Sequence, residues 1–197
     1  MNTKKEISYK IAEVFYSIQG EGFWVGHPAI FIRFSGCNLK CMWCDTDFSH
    51  KLTLTKEAIL QIIENYPCKL LVLTGGEPTL QLPLDKDNNS EFVQFFKDKG
   101  YRVHIESNGT QFLPRNLDWV TISPKEKWII KGGDELKVIY VEQDLEQYGF
   151  AYTCFKHYYL QPCYMPRNTN YVETVQKVKE GNQWILSVQM HRILKIR

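Results

Sequence analysis

The sequence predicts an α/β fold, an incomplete and open (β/α)6-type TIM-like barrel with reduced helices. Three observations lead there. Short apolar runs alternate with segments whose apolar residues recur at helical spacing, which argues for a parallel sheet with helices outside. Polar and glycine-containing clusters each follow an apolar run. In a parallel arrangement they all lie at the carboxyl ends of the strands, where barrels and open α/β sheets build active sites. The chain's 197 residues also fall short of the ≈ 250 typical of a full eight-fold barrel, so about six units are expected. No internal repeat, low-complexity stretch or linker stands out, and residues 1–197 read as a single domain.

The elements follow in order. Ile11–Ile18 is strand-like and runs into Gln19-Gly20-Glu21-Gly22, where two glycines allow a tight turn or a close approach to a ligand. Ala29–Phe34 reads as a buried strand. Thr55 can cap a helix over Lys56–Tyr66, with Ala58, Ile59, Ile62 and Ile63 at helical spacing. Leu70–Leu73 is a short apolar run, as in a strand buried on both faces. The loop Asp85–Ser90 precedes a helix Glu91–Lys99 that Ser90 can cap and Gly100 stops. Strands are expected at Arg102–Ile105, Trp119–Ile122 and Leu136–Val141, and the crossover from Lys125 to Glu135 carries no helical pattern. A short helical or turn segment, Glu142–Tyr148, leads to a strand at Tyr158–Leu160. Asn168 or Thr169 can start a last helix with Val172, Val175 and Val178 on one face, stopped by Gly181. Trp184–Val188 reads as a final strand and Gln189–Arg197 as a tail.

Composition narrows the function classes. Lys+Arg 24 against Asp+Glu 22 leaves a net charge of +2, which makes no electrostatic case for nucleic acid or a membrane surface. No apolar run approaches the ~20 residues of a membrane span, and the opening MNTKKEISYK has no apolar segment for export. Six cysteines without such a segment point to the reducing cytoplasm. A hydrophobic content of 44% supports a sizeable core.

The chemistry centres on Gly36–Thr46, GCNLKCMWCDT, where Cys37, Cys41 and Cys44 form a C-x-x-x-C-x-x-C array directly after an apolar run. Three thiolates on one loop can converge on one inorganic centre. An iron–sulfur cube normally takes four cysteines; with three, one iron keeps an open position, as catalytic metal sites do. Trp43 sets a flat apolar face beside it. A structural zinc site using His50, or three unrelated buried thiols, would also account for the cysteines, although such zinc sites usually pair two short knuckles and no second knuckle is present.

Other clusters are weaker alone. Thr74-Gly75-Gly76-Glu77-Pro78 offers backbone groups unobstructed by side chains, or a plain strand-to-helix turn. Ser107-Asn108 and Ser123-Pro124-Lys125 supply groups able to bind a ribose or a carboxylate, and turn chemistry explains them equally. Arg33 could clamp a carboxylate bidentately or form a surface ion pair. The Thr46 hydroxyl could ligate a hard cation such as Mg²⁺ or serve a turn.

The cysteine spacing with its aromatic residue resembles the radical S-adenosylmethionine (SAM) superfamily. There SAM's methionine chelates the open iron, and an electron from the cluster cleaves SAM to methionine and a 5′-deoxyadenosyl radical. Thr74–Pro78, about thirty residues beyond the array, is similar to the superfamily's Gly-Gly-Glu-Pro segment that contacts the methionine amino group. The combination of Phe15–Gly22, Arg33–Leu39 and Cys41-x-Trp43-Cys44-Asp45-Thr46 narrows the resemblance to the 7-carboxy-7-deazaguanine synthase family. Glu106–Thr110, Ser123–Lys125, Leu160–Pro162 and Ser187–Arg192 extend it over nearly the whole chain.

That resemblance implies a radical SAM lyase of the queuosine and deazapurine pathway. It would convert 6-carboxy-5,6,7,8-tetrahydropterin to 7-carboxy-7-deazaguanine with loss of ammonia, using a 4Fe-4S cluster, SAM regenerated at the end, and Mg²⁺. Carried onto this chain, Cys37, Cys41 and Cys44 would bind the cluster and Thr46 the Mg²⁺. Ile18, Gln19, Gly20, Glu21, Arg33 and Thr74 would hold the pterin, with Glu21 suited to its guanidine-like edge and His191 a further pocket residue. Gly76, the Ser123, Pro124 and Lys125 run, and Gln161, Pro162, Cys163 and Tyr164 would bind SAM, with Gly75, Glu77 and Ser107 beside them. The continuation Cys163-Tyr164 departs from the commoner family pattern. A flavodoxin- or ferredoxin-type reductant and a homodimer are expected partners; nucleic acid and membrane are not. Two competing readings stay open at this point: a glycyl-radical-activating enzyme, which would act on a protein backbone, and an electron-transfer iron–sulfur protein, which should carry four cysteine ligands.

Overall fold

The computed structural model describes residues 7–165 and 168–197; part of the opening stretch read above for an export signal lies outside them. Among the described residues no helix is long and apolar enough to cross a membrane. Nine strands among the described residues form one sheet: β1 (Ser8–Ile18), β2 (Pro28–Phe34), β3 (Leu52–Thr55), β4 (Leu70–Gly75), β5 (Arg102–Ser107), β6 (Trp119–Ile122), β7 (Gly132–Tyr140), β8 (Cys154–Pro162) and β9 (Ile185–Leu186). Their order is β3-β1-β2-β4-β5-β6-β7-β8-β9. From β2 to β9 every pairing is parallel, while β1 runs antiparallel to both β2 and β3. The order ends at β3 and β9 without closing, so this is an open α/β barrel, as the strand–loop–helix alternation predicts. One cluster departs from the expected placement: Gln19–Gly22 follows the antiparallel β1, whose end at Ile18 lies opposite Pro28. It therefore enters from the amino ends of the parallel strands rather than from their carboxyl ends.

Helices are few, as expected. α1 (Lys56–Ile63) leads into β4, α2 (Glu91–Asp98) into β5, α3 (Tyr171–Lys179) into β9, and α4 (Met190–Leu194) follows it. The Lys125–Glu135 crossover is loop, and only a 3₁₀ turn at Glu146–Tyr148 lies between β7 and β8. Thr55 caps α1 as expected, its hydroxyl accepting from Ala58 N at 3.2 Å. Ser90 precedes α2, but its hydroxyl is buried without a partner, and the local bond runs from Ser90 N to Asn116 Oδ1 at 3.1 Å.

Four further features differ from the sequence reading. β3 hides in Leu52-Thr53-Leu54-Thr55, too short to stand out before its pairing with β1 is seen. β7 starts at Gly132 rather than Leu136, because Asp134 does structural work for polar backbone: its carboxylate accepts from Val120 N at 2.8 Å. In α3 the three valines do not share one buried face: Val178 packs against the core, and Val172 and Val175 do not. Val172 is 76% exposed and Val175 39%, whereas Thr174 is fully buried, with its hydroxyl bonded to Asn170 O at 2.7 Å. The segment read as a tail holds α4.

Strand alternation gives each parallel strand two faces. On the helix side Ile30, Ile32, Phe34, Leu71, Leu73, Val103 and Ile105 pack with Ile59, Ile63, Phe92, Val93 and Phe96. Further along, Ile122, Leu136, Val138, Tyr158 and Leu160 pack with Trp128 and Tyr148. Each such side chain contributes about 1.5–3 kcal/mol on burial. The opposite, inner face is polar at the carboxyl ends, where Thr74, Glu106, Lys137 and Gln161 meet one cavity. Toward the amino ends the β1–β2 loop plugs the interior. Phe23 stacks on Trp119 with ring centroids 5.0 Å apart, and Trp24 lies 5.1 Å from His104.

Candidate active site

The cysteine loop starts where β2 ends and is built against the Gly75–Glu77 turn. Gly76 N donates to Phe34 O at 3.0 Å and Glu77 N to Gly36 O at 2.9 Å. A Cβ on Gly76 would overlap the Gly36 carbonyl oxygen, and Gly75 sits at φ +119 with the Phe34 backbone against it. These glycines are required for two loops to touch. Glu77 is fully buried and turned away from the cavity. It accepts from Ser107 Oγ at 2.8 Å and Asn108 N at 2.7 Å, tying the turn to the end of β5. Asn108 in turn donates to Asn38 Oδ1 at 3.0 Å, and Asn38 to Thr110 Oγ1 at 2.7 Å, bracing the loop from the other side.

Cys37, Cys41 and Cys44 are free and line a cavity of about 660 Å³. Burial pushes the Cys37 and Cys41 thiols up. Leu39 N donates to Cys37 Sγ at 3.4 Å, a bond that favours thiolate. Among the described residues no three His, Cys, Asp or Glu side chains converge closely enough to hold a single metal ion. His50 bonds instead to Thr53 Oγ1 at 3.0 Å. A mononuclear zinc site needs such convergence; a cluster, whose iron corners reach separate thiolates, does not. Cys68, bonded to Pro28 O at 3.2 Å, and the exposed Cys154 do not line the cavity, and neither does the buried Cys163. Three cysteines on one cavity wall therefore fit a cluster with an open corner.

The floor of the same cavity is a charge network drawn from distant strands. Lys137 bonds to Glu21 Oε2 and lies 3.5 Å from Glu106 Oε1. Glu106 also accepts from Gln19 Nε2 at 3.1 Å and Thr74 Oγ1 at 2.9 Å. Burial raises the Glu21 carboxyl, but the Lys137 charge and the bonds from Lys137 and Gln189 outweigh it and hold it below its ordinary value. Burial would lower the Lys137 ammonium; Glu106, Glu21 and Glu135 reverse that and raise it above the usual lysine range. Below them, buried Glu135 accepts from Phe23 N at 2.9 Å, and burial pushes it up to about 7.

Residues 189–197 contribute one side of the cavity. Met190 N donates to Gly20 O at 2.9 Å, and a Cβ on Gly20 would run into the His191 imidazole, which makes Gly20 the seat of α4. Gln189 Nε2 donates to Glu21 Oε1 at 2.8 Å and to Asp45 Oδ2 at 3.0 Å; Arg192 Nη2 reaches the same Asp45 oxygen at 2.6 Å. Arg192 also stacks over Tyr164 at 3.7 Å. Ser17 Oγ donates to Arg197 O, and the Arg197 guanidinium pairs with Glu13. Asp45 is thereby held below its ordinary value, burial notwithstanding, by Gln189 and Arg192.

The structure gathers nearly every residue singled out from sequence. Ile18, Gln19, Gly20, Glu21, Arg33, Thr74 and His191 line this cavity with the three cysteines and Thr46. So do Gly75, Gly76, Ser107, Ser123, Lys125, Gln161, Pro162 and Tyr164. Arg33 sits 3.8 Å from Glu13 and over the Phe15 ring. Lys125 Nζ donates to Ser123 Oγ at 2.6 Å; burial, then repulsion from Lys137, push its ammonium down to about 8. Thr46 Oγ1 donates to Asp45 Oδ1 at 3.2 Å, an all-oxygen pair that suits Mg²⁺. Three residues stand apart. Glu77 is the buried bracket described above, Pro124 lines an adjoining cavity of about 850 Å³, and Cys163 packs away with its N–H donated to Asn170 Oδ1 at 2.8 Å.

Sequence reasoning missed Glu106, Lys137, Asp45, Gln189 and Arg192 as site residues. Lys137 did carry a signal, since a lysine inside the apolar run Leu136–Val141 cannot be buried without partners. Residues 31–125 match the family described as the Radical SAM superfamily. The chain is 42% identical over 190 residues to the 7-carboxy-7-deazaguanine synthase of Bacteroides thetaiotaomicron, covering 95% of this chain and 98% of that protein. It is 32% identical over 214 residues to that of Haemophilus influenzae, with 97% and 95% covered. The crystal structure of QueE from Escherichia coli matches with a TM-score of 0.69 at 26% identity, covering 93% of this chain and 95% of that one. A cavity walled by three free cysteines, a glycine turn packed against them, and relatives matched over their full length place the chain in the 7-carboxy-7-deazaguanine synthase family of radical SAM proteins.

Proposed function

We propose that this chain converts 6-carboxy-5,6,7,8-tetrahydropterin to 7-carboxy-7-deazaguanine and ammonia. The observation that carries the reading is the polarity of one cavity. Its floor holds the carboxylates Glu21 and Glu106, its rim holds Arg33, His191 and Arg192, and its third wall is the cysteine loop. A pterin has the complementary shape of charge: a donor-rich amino-pyrimidine edge at one end and, in this substrate, a carboxylate at the other.

When bound, the cluster and SAM supply the electron and the 5′-deoxyadenosyl radical that initiate the ring contraction. Cys37, Cys41 and Cys44 would hold the cluster. Gly75, Gly76, Ser107, Ser123, Lys125, Gln161, Pro162 and Tyr164 would frame SAM. Glu77, Pro124 and Cys163 would act from behind that surface. Thr46 would contribute an oxygen to Mg²⁺.

The chain's own groups do the positioning. Ile18, Gln19, Glu21 and Thr74 take the pyrimidine edge, and Arg33 and His191 take the substrate carboxylate. Gly20 lets α4 sit close enough for Gln189 and Arg192 to shut the cavity over the ring, which keeps water and stray hydrogen donors from the radical. A flavodoxin- or ferredoxin-type protein supplies the electron, the enzyme works as a homodimer, and its place is the cytoplasm.

The test is anaerobic. Reconstituted protein receives dithionite, SAM, Mg²⁺ and 6-carboxytetrahydropterin, and products are followed by mass and ultraviolet absorbance. A product lighter than the substrate by one ammonia is expected. SAM cleavage with unchanged pterin would transfer the chain to another substrate; an intact cluster that never cleaves SAM would make it an electron carrier.

A further inference from the structure

Lys137 is only 5% exposed, in the inner face of β7, and it is the cation of the cavity floor. It bonds to Glu21 from the β1–β2 loop and lies 3.5 Å from Glu106 of β5. The other titratable groups facing this cluster are Glu135 on β7, Lys125 after β6 and His191 on α4. Two carboxylates that share one lysine repel each other's charge, and without that cation the repulsion favours a proton on one of them. A protonated oxygen donates where an ionised one accepts. The identity of the floor as an all-acceptor surface therefore depends on a third group.

We infer that Lys137 is a positioning residue: it keeps Glu21 and Glu106 anionic together, so that the floor offers only acceptors to the amino-pyrimidine edge of the substrate. This rests on the pterin reading above and adds to it the residue through which the floor's acceptor character is set. Lys137 acts through the two carboxylates, not on the reacting atoms. Its Nζ bonds to Glu21 Oε2 and lies 3.5 Å from Glu106 Oε1, an oxygen it shares with Gln19, while Thr74 and Gln189 donate to the other oxygens of Glu106 and Glu21. Each carboxylate is thus bonded on several sides before substrate arrives, which fixes its direction as well as its charge.

The test uses 6-carboxypterin, an unreactive and fluorescent relative that keeps the 2-amino-4-oxo ring and the carboxylate. It is titrated into the cluster-loaded chain between pH 5.5 and 7.5 by fluorescence quenching. The wild-type profile is the reference, because Glu135 ionises through about 7 in wild type and variants alike. Relative to it, Lys137→Met should bind roughly tenfold or more weakly at the acid end and recover as pH rises, because a floor carboxylate now takes a proton in the window. Lys137→Arg, which keeps the charge, should stay within about threefold of wild type at every pH. Lys137→Met combined with Glu106→Gln removes the second charge and should return a constant ratio to wild type across the range, which keeps the test informative if the single Met variant folds poorly. Equal binding in Lys137→Met and wild type overturns the inference. So does a Lys137→Met Kd weakened by the same factor at every pH, since that is what a packing role alone would give. A wild type that holds its cluster but does not bind 6-carboxypterin overturns the pterin reading itself, a separate failure with a separate signature.

Discussion

The cysteine loop and the charged floor lie on one cavity but are built in opposite ways. The loop, from Gly36 to His50, has no regular structure; Met42 is 94% exposed and the three thiols have few partners. The floor is buried and saturated, with Lys137, Glu21 and Glu106 bonded to one another and to Gln19, Thr74 and Gln189. A loop of this kind suits a metal site, where binding and local folding are coupled. The floor is preorganised by the barrel, where strands hold side chains to tighter tolerances than loops do. On the proposed function the two divide the work: the loop carries the radical source, and the floor selects the molecule that the radical meets.

Substitutions can break the contrast from either side. The largest effect is expected in the loop: Cys41→Ala should lose the brown cluster and all turnover while the far-ultraviolet circular dichroism stays that of wild type. Measurable turnover in that variant would sink the cluster assignment. Next comes the joint between loop and sheet. Gly76→Ala sets a Cβ into the Gly36 carbonyl, and should cost roughly 2–3 kcal/mol in denaturant unfolding through forced backbone movement. An unchanged midpoint would show that the loop shifts freely.

The floor yields a pH signature. Burial raises Glu135 from 4.5 to about 7, so the folded chain keeps a proton that the unfolded chain has released. Its stabilising contribution is complete below the unfolded value and is lost as pH rises through about 7. Glu135→Gln should therefore gain on wild type by up to roughly 3 kcal/mol between pH 5 and 8, read as the difference of two urea-unfolding series. A constant difference across that range would place the Glu135 carboxyl at an ordinary value. Smaller still, Thr46→Ala should keep its cluster and show a weakened response of turnover to added Mg²⁺; an unaltered response removes Thr46 from the cation site. At the bottom of the scale, Val172→Ala on the exposed face of α3 should move stability by less than about 0.5 kcal/mol, and a larger loss would mean that this face is covered in solution.

The same contrast explains what could be read from the sequence. Cys37, Cys41 and Cys44 lie within one loop, and Thr74–Pro78 follows the next apolar run, so spacing alone exposes them. The parallel strands from β2 to β8 were legible for a similar reason, as each is a short apolar run ending in polar residues. β3 was not, because a four-residue strand takes its meaning from its partner β1. Helical spacing put three valines on one face of α3, whereas the packing buries Thr174 and, of the valines, only partly buries Val178. The floor was half legible. Glu21 and Gln19 belong to a recognisable turn, but their partners lie far along the chain, Lys137 116 residues from Glu21 and Gln189 168 residues. Pairings at that separation are created by topology, and no local pattern announces them.

The most direct test of the whole account is a count of molecules in the anaerobic reaction with 6-carboxytetrahydropterin, SAM, Mg²⁺ and reductant. With the loop generating the radical and the floor holding the right ring, the deaminated product should accumulate in clear excess over 5′-deoxyadenosine, because SAM is regenerated at each turnover. If 5′-deoxyadenosine accumulates while the pterin is recovered unchanged, the loop works as described and the floor has been assigned to the wrong substrate.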